Sequence, residues 1–398
     1  MRVTQSMLTN SNLQYISQNY SRFGKINDQI MSGKKITKPS DDPVIAMKGM
    51  RYRSQVVEVE QFKRNLNEGF NWMDNSDAAL EETGQVLQRI RELTVQASND
   101  SYGSEERKNI AKEIERLQEH IVALANTKVG DNYIFNGTDT SKSPVNENEI
   151  NMDFSHFMDE LKATPSTINQ SDYVISYQGQ TYQYDGPNSF IVQPNIKYKD
   201  ANGNEHQGPP ARIEIDPTAG TIKQTRIEEQ KNLNGAAIVV SNELNDFNQF
   251  VLTKNTAVSS NKQDVRIEVM KGVTIPINID AKQVFSTDLF SSLESIKKML
   301  NSPETKGTDI TKALDSIDLM MDKVVSTRAE LGAQVNRTEM VQNRLLQQEV
   351  VANKTVSDNE DIDFERVIVD LKTQESLHRA SLAAGARIIQ PTLMDFLR

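Results

Sequence analysis

Residues 59–97 read VEQFKRNLNEGFNWMDNSDAALEETGQVLQRIRELTVQA. Val59, Leu66, Met73, Leu80, Leu87 and Thr94 follow one another at intervals of seven, with Phe62, Ile90 and Ala97 three places on. An apolar repeat of seven holds one stripe of a helix against a neighbour over many turns, so the segment predicts a long helix in a coiled-coil-like bundle. A second ladder lies near the other end of the chain, at Ile310, Ile317, Val324, Leu331, Thr338, Leu345 and Ala352, joined by Leu314, Met321 and Val335 four places on. Such stripes also form the cores of ordinary helical domains. Two of them, one in each half of one chain, predict a bundle closed by both chain ends.

Composition agrees with a lean, helical protein. The chain has 398 residues, enough for two or three domains, yet only 37% are hydrophobic and 6% aromatic, with a mean hydropathy of -0.57. Its net charge of -10 and the lack of a basic stripe argue against nucleic acid, whose phosphates are held by clustered Lys and Arg. With no cysteine it makes no disulfide, which leaves the redox compartment open. No apolar run reaches signal-peptide or membrane-spanning length. Residues 1–55 hold nine Lys or Arg against three acids, and residues 355–398 five against eight, so the two tails attract. Surface pairs of this kind set orientation more than they hold the tails together.

Outward from the ladders the order is nested. Met7, Leu13, Ile16, Tyr20, Phe23, Ile26 and Ile30 step by three and four and predict an amphipathic helix over about 4–31, stopped at Gly33. A basic loop leads to Asp42 as cap and Pro43 as first helical residue, and the helix then runs to about Ser98, 55 residues or roughly 80 Å. Ser104 is expected to cap a second helix that folds back and ends near Gly130. Between 141 and 284 the character turns to Asn, Gly, Pro and alternating runs. Tyr173–Tyr177 and Gln180–Tyr184 about Gln178-Gly179, and Val265–Val269 and Val273–Ile279 about Lys271-Gly272, read as hairpins. A long helix is expected from about Thr308 to Lys354, then an acidic, solvated break over 357–363, then a last helix with Phe364, Val367, Leu371, Leu382, Ile389, Leu393 and Phe396. The fold class is therefore mainly α with an inserted β-rich (α+β) domain, elongated. Its parts are arms 1–42 and 357–398, a bundle of 43–140 and 285–356, and an insert of 141–284. The N-terminal arm buries too little to fold alone and is expected to need the C-terminal arm and other copies.

Catalytic signals are weak. His120, His156, His206 and His378 show no ligand spacing, and no zinc, phosphate-loop or nucleophile-elbow motif is present. Asp358, Glu360, Asp361 and Asp363 resemble part of a calcium loop but lack its glycine and final glutamate. Asp41 and Asp42 read as caps rather than paired catalytic acids. No catalytic, cofactor or metal residue is assigned, and the reading is of a non-enzymatic protein.

Several segments resemble the flagellin superfamily of bacterial flagellar axial proteins. Ile30-Met31-Ser32-Gly33-Lys34-Lys35-Ile36 with Pro39-Ser40-Asp41-Asp42-Pro43, and Tyr133-Ile134-Phe135-Asn136-Gly137, are similar to its hook-associated junction branch. Arg328-Ala329-Glu330-Leu331-Gly332-Ala333 with Asn336-Arg337, and the ending Leu393-Met394-Asp395-Phe396-Leu397-Arg398, are similar to the C-terminal portion of the superfamily. The resemblance covers about 1–140 and 285–398. It implies a structural subunit of the bacterial flagellum, secreted by the flagellar type III apparatus and located at the hook–filament junction. Its partners would be flagellin, a second hook-associated protein and an export chaperone on the C-terminal region, with self-assembly into a ring of about eleven copies in the flagellum. On this reading Met7, Leu13, Ile16, Phe23, Ile26, Ile30, Leu371, Leu382, Ile389, Leu393 and Phe396 form the assembly interface of the arms. Val59, Leu66, Met73, Leu80, Leu87, Ile317, Val324, Leu331 and Leu345 form the bundle seam.

Residues 87–97, LQRIRELTVQA, are similar to the flagellin helix that a vertebrate innate receptor recognises, and Arg89, Leu93 and Glu113 fall on the matching positions. Bundle packing and subunit contacts are the alternative use of the same residues. A filament or minor flagellin is the close alternative for the whole chain. A secreted coiled-coil adhesin, and an enzyme carried by the insert, stand behind it.

Overall fold

The computed structural model describes residues 5–99, 101–163, 168–192, 197–199, 205–207, 211–231, 237–244 and 246–394. Its helices are α1 (Gln5–Ser32), α2 (Pro43–Ala97), α3 (Ser104–Ala125), α4 (Phe154–Lys162), α5 (Ala281–Val284), α6 (Thr287–Asn301), α7 (Gly307–Glu360) and α8 (Phe364–Met394). Two compact units result, one of residues 1–64 and 341–398, the other of residues 65–340. The division falls inside α2 and α7, because each of these long helices contributes to both units, whereas the sequence reading put boundaries in the loops at 42 and 356.

In the first unit α1 packs on α8, the first helix against the last. Gly33 ends α1 with φ +70, the left-handed geometry glycine adopts without strain, and its N–H closes the last turn on Gln29 O. Asp42 starts α2 as expected: its Oδ1 accepts from the backbone N–H groups of Val44 and Ile45, at 2.9 and 3.1 Å. Lys63 reaches Glu349 at 2.7 Å, tying α2 to α7.

The core of the second unit forms where the ladders meet. Along α2, Leu66, Met73, Ser76, Leu80, Thr83, Leu87, Ile90, Thr94 and Ala97 are fully or almost fully buried at alternating steps of three and four, apart from the first step. Along α7, Ile310, Ala313, Ile317, Met320, Val324, Thr327, Leu331 and Thr338 are buried with the same alternation, apart from the last step. Asp77 pairs with Arg328 and Arg91 with Asp318, so the two helices run antiparallel. The seam threonines satisfy their hydroxyls within their own helices, Thr83 on Ala79 O, Thr94 on Ile90 O and Thr338 on Gln334 O, which lets polar residues occupy core positions. Helix α3 starts at Ser104 itself with Gly103 at the capping position and no side-chain cap, a correction to the expected Ser104 cap.

The insert is a seven-stranded antiparallel sheet of β1 (Tyr173–Tyr177), β2 (Gln180–Gly186), β3 (Ser189–Val192), β4 (Ala211–Asp216), β5 (Thr221–Lys231), β6 (Ala237–Leu244) and β7 (Val251–Lys254), in the order β6-β5-β4-β3-β2-β1-β7. The expected hairpin is present: Tyr177 pairs with Gln180, and Gln178 and Gly179 both take positive φ, 50 and 74, as a two-residue hairpin turn requires. The second expected hairpin pairs Arg266–Met270 with Val273–Pro276. Ile175, Tyr177, Tyr182, Phe190, Ile213, Ile215 and Ile222 pack with Phe154, Phe157, Met158 and Leu161 of α4 into a separate apolar core. Helix α6, which the sequence reading missed, packs on β1, β2 and β7 and also on α3, so it carries the sheet on the bundle. Gly179 sits in that joint: its N–H donates to Ser295 Oγ at 2.9 Å and its carbonyl accepts from Ser316 Oγ at 2.8 Å.

Candidate assembly surfaces

The terminal helices meet through polar and aromatic contacts inside a half-buried apolar stripe. Asn19 Nδ2 donates to Ser381 Oγ at 3.1 Å, Gln374 Nε2 donates to Asn19 O at 3.2 Å, and the Tyr20 and His378 rings lie 5.9 Å apart. Of the expected interface residues, Ile16, Phe23, Ile26, Ile30 and Leu371 are half-buried in this pairing. Met7, Leu13 and Leu382 instead face outward, exposed by about half or more. Phe396 and the side chains of Ile389 and Leu393 lie outside the described residues.

The basic loop after α1 and the acidic end of α7 are brought together. Lys34 and Asp361 form an isolated antiparallel bridge, with Lys35 N–H on Glu360 O at 2.6 Å and Ile362 N–H on Gly33 O at 3.1 Å. Lys34 Nζ pairs with Asp361 Oδ1 at 2.7 Å and lies 3.6 Å from Glu360, which Arg53 also holds at 3.0 Å. Glu360 is 8% exposed, so the expected solvated break is corrected: α7 continues to Glu360 and its acids are used as anchors. The hydrogen bond from Lys34 holds the Asp361 carboxyl below the usual carboxylate range, with Ser357 adding to it. Among the described residues no group of three or more His, Asp or Glu could hold a metal ion.

Every expected seam residue is buried except Val59, which is half-buried. Arg89 and Glu113 meet across α2 and α3 at 2.7 Å with both side chains about half exposed. Leu93 is turned into the core at 2% exposure, so of the three residues at receptor-like positions only Arg89 and Glu113 present side chains to solvent. A neighbouring pair, Glu82 with His120 at 2.8 Å, places one of the four histidines in an exposed helix–helix contact.

Exposed apolar surface is unevenly distributed. Among the described residues, 17 of the 23 large apolar side chains that stand exposed belong to the first unit, which holds less than a third of the chain. A free globular surface does not gather apolar groups in this way, and such concentration marks an interaction surface. Of the arm residues that the resemblance implied as interface, Ile16, Phe23, Ile26, Ile30 and Leu371 pair α1 with α8 while Met7, Leu13 and Leu382 stand exposed, and the outward residues on α2 and α7 were not among them. Val44, Met47 and Met50 on α2, and Leu346, Val350 and Val351 on α7, break the apolar-in, polar-out rule, which was the signal available.

A unit in which the first helix of the chain packs on the last, with apolar surface left exposed on it, defines a structural subunit made for packing into an assembly. Residues 3–140 match the bacterial flagellin N-terminal helical region and residues 314–397 the bacterial flagellin C-terminal helical region, together more than half of the chain. Flagellar hook-associated protein 3 of Escherichia coli is 26% identical over 148 residues, 37% of this chain and 47% of that protein, so the chain matches about half the length of this relative. Flagellin B of Vibrio anguillarum is 24% identical over 368 residues, 92% of this chain and 90% of that one. A solved Vibrio parahaemolyticus structure assigned to the flagellar hook-associated proteins shares the fold, with a TM-score of 0.51 and 13% identity over 81% of this chain and all of that one. The chain belongs to the flagellin superfamily, and its type within it is that of hook-associated protein 3, or FlgL. It is a component of the bacterial flagellum.

Proposed function

We propose that this chain is the non-enzymatic junction subunit that joins the hook to the flagellin filament. The observation that carries the reading is the apolar surface concentrated in the first unit, which lateral copies would cover. Burial of apolar area drives such packing without a directional bond, at about 25 cal/mol per Å² removed from water. Copies close into a ring of about eleven, with a second hook-associated protein on one side and flagellin on the other. The chain is secreted through the flagellar type III apparatus, with a chaperone holding the C-terminal region before export. Likeness to hook-associated protein 3 of Escherichia coli supports the junction over the filament, and likeness to Flagellin B of Vibrio anguillarum keeps a minor flagellin as the reading to test against.

Deletion of the gene separates the two. Lost motility, with hooks on the cells and unpolymerised flagellin in the medium, is the expected result. Filaments retained at normal length would overturn the junction role in favour of a minor flagellin.

A further inference from the structure

The α1–α8 pair is joined to α2 and α7 by two short segments, residues 33–42 and 361–363, and the Lys34–Asp361 bridge brings both past the end of α7. Glu360 closes that end. Its carboxylate is buried against Gly49 of α2, where a methyl group in place of the glycine hydrogen would collide with it. Arg53, one turn further along α2, places Nε 3.0 Å from Oε1, and Lys34, from the segment after α1, places Nζ 3.6 Å from the other oxygen. Oε1 accepts no aligned hydrogen bond, so charge holds it in its seat. The bonds around it are of another kind: Asn359 Nδ2 donates to Ile45 O at 3.1 Å, and Lys35 N–H donates to Glu360 O at 2.6 Å. One buried charge on α7 is thus shared by cations from two other elements.

We propose that Glu360 is a positioning residue, an ionic latch that fixes the direction in which the α1–α8 pair leaves α2 and α7 without holding either pair of helices together. Neither pairing passes through it. Helices α1 and α8 have their own contacts at Asn19, Gln374 and Ser381, and α2 and α7 are tied at Lys63 and Glu349. The backbone bridge at Lys34 and Asp361 ties the two connecting segments to each other, whereas Glu360, seated on Gly49 and paired with Arg53, ties them to α2. A buried charge is stable only while its partners stay, so the seat is occupied in one arrangement of the three elements. With the charge removed, the partly exposed Lys34 and Arg53 are held as well by water, and the Asn359 hydrogen bond to Ile45 is left as a pivot. Gly49 fits this role, because glycine inside a helix costs stability relative to alanine and here makes the room that the carboxylate fills. A direction fixed in the free chain spares an ordering cost that any neighbour packing on the arms would otherwise meet. The latch does not rest on the junction role proposed above.

The chain has no cysteine, so cysteine pairs introduced at exposed positions of the full chain take spin labels at those positions alone. Leu13→Cys with Leu382→Cys reports the α1–α8 pairing, and Leu13→Cys with Val350→Cys reports the direction of that pair against α7. Pulsed electron paramagnetic resonance is expected to give one narrow distance distribution for each in the parent chain. Glu360→Gln, which keeps the shape and removes the charge, is expected to replace the second by a broad distribution while the first and the far-ultraviolet circular dichroism stay as they were. Gly49→Ala is expected to do the same by pushing the carboxylate from its seat, although alanine favours the α2 helix. Glu349→Gln, which removes a charge pair between α2 and α7 away from the latch, is expected to change neither. A second distribution as narrow in Glu360→Gln and Gly49→Ala as in the parent, a broad one in the parent itself, loss of the first distribution together with the second, or equal broadening by Glu349→Gln would each overturn the proposal.

Discussion

Lys34 and Asp361, 327 positions apart, form one antiparallel bridge pair whose side chains also meet, Nζ to Oδ1 at 2.7 Å. The pair holds the base of the first helix to the base of the last. Its hydrogen bond lowers the Asp361 carboxyl below the ordinary carboxylate value and raises Lys34 above the ordinary lysine value, the bond to Asp361 being the main cause.

A depressed carboxyl contributes its stability in full above the ordinary value of about 4 and loses it as pH falls through the depressed one. A raised amine contributes in full below the ordinary lysine value and loses it as pH climbs through the raised one. Both side chains are more than two-fifths exposed, so the contribution is under about 1 kcal/mol. Relative to an unstructured peptide at the same pH, the amides of Lys35 and Ile362, which bond across the bridge, should therefore exchange faster with deuterium once pH drops below about 4. In Asp361→Asn the faster exchange should already be present at neutral pH, and protection that is the same in both chains at every pH would refute the anchor.

Leu80 and Leu87 are both fully buried in the ladder on α2. Truncating either to alanine removes its transfer free energy and leaves a cavity in a seam that cannot collapse, at a cost of about 2 to 5 kcal/mol. Urea titration should show a lower midpoint with an unchanged slope. Val59→Ala, at the half-buried rung of the same ladder, should cost clearly less.

Gly179 is held at φ +74 with its missing Cβ aimed at Ala313, whose Cβ an added methyl would approach to 2.6 Å. Gly179→Ala therefore combines left-handed strain of about 1 to 2 kcal/mol with overpacking of about 1 to 3 kcal/mol. Gly130→Ala is the control: φ is +60 but nothing lies within 4 Å, so only the first cost applies. Thermal melts of the two variants should separate the terms, and equal shifts would show that the hairpin turn can leave its seat without penalty.

Leu377 on α8 is 51% exposed in the terminal unit. Leu377→Asp should leave the melting temperature of the free chain within a few degrees of the wild type, because no core contact is lost. The same variant should fail to restore motility to a strain lacking the gene. Full restoration would remove this face from the assembly surface.

Much of the fold can be read from the chain because the long helices obey a single period. Leu66 to Thr94 and Ile310 to Thr338 need nothing but spacing, and Gly33 and the Asp42-Pro43 pair mark helix ends by local chemistry. Helix α6 escaped for the opposite reason. Leu289, Phe290, Leu293, Ile296, Met299 and Leu300 are buried together with Ser291, Ser292 and Ser295, so the helix is covered on nearly all sides and shows no clean stripe. Its Ser286 cap, which accepts from Leu289 N–H, was the local signal available. Of the anchor at Glu360 and Asp361 only the attraction between a basic 1–55 and an acidic 355–398 could be read, since nothing near those acids in the sequence names Lys34 or Arg53 as their partners. For the same reason the acids looked solvated, and the unit boundaries looked like loops.

Asn19 and Ser381, 362 positions apart, bond to each other, which has a bearing on the order of events in the life of the chain. Helix α1 emerges first from any ribosome or narrow conduit that delivers the chain N-terminus first, and its partner emerges last. Until then the first helix has nothing to close against, and closing so long a loop adds an entropic delay of its own. The terminal unit is therefore a completion check: a chain that lacks α8 has nothing to close α1 against and cannot shut its ends.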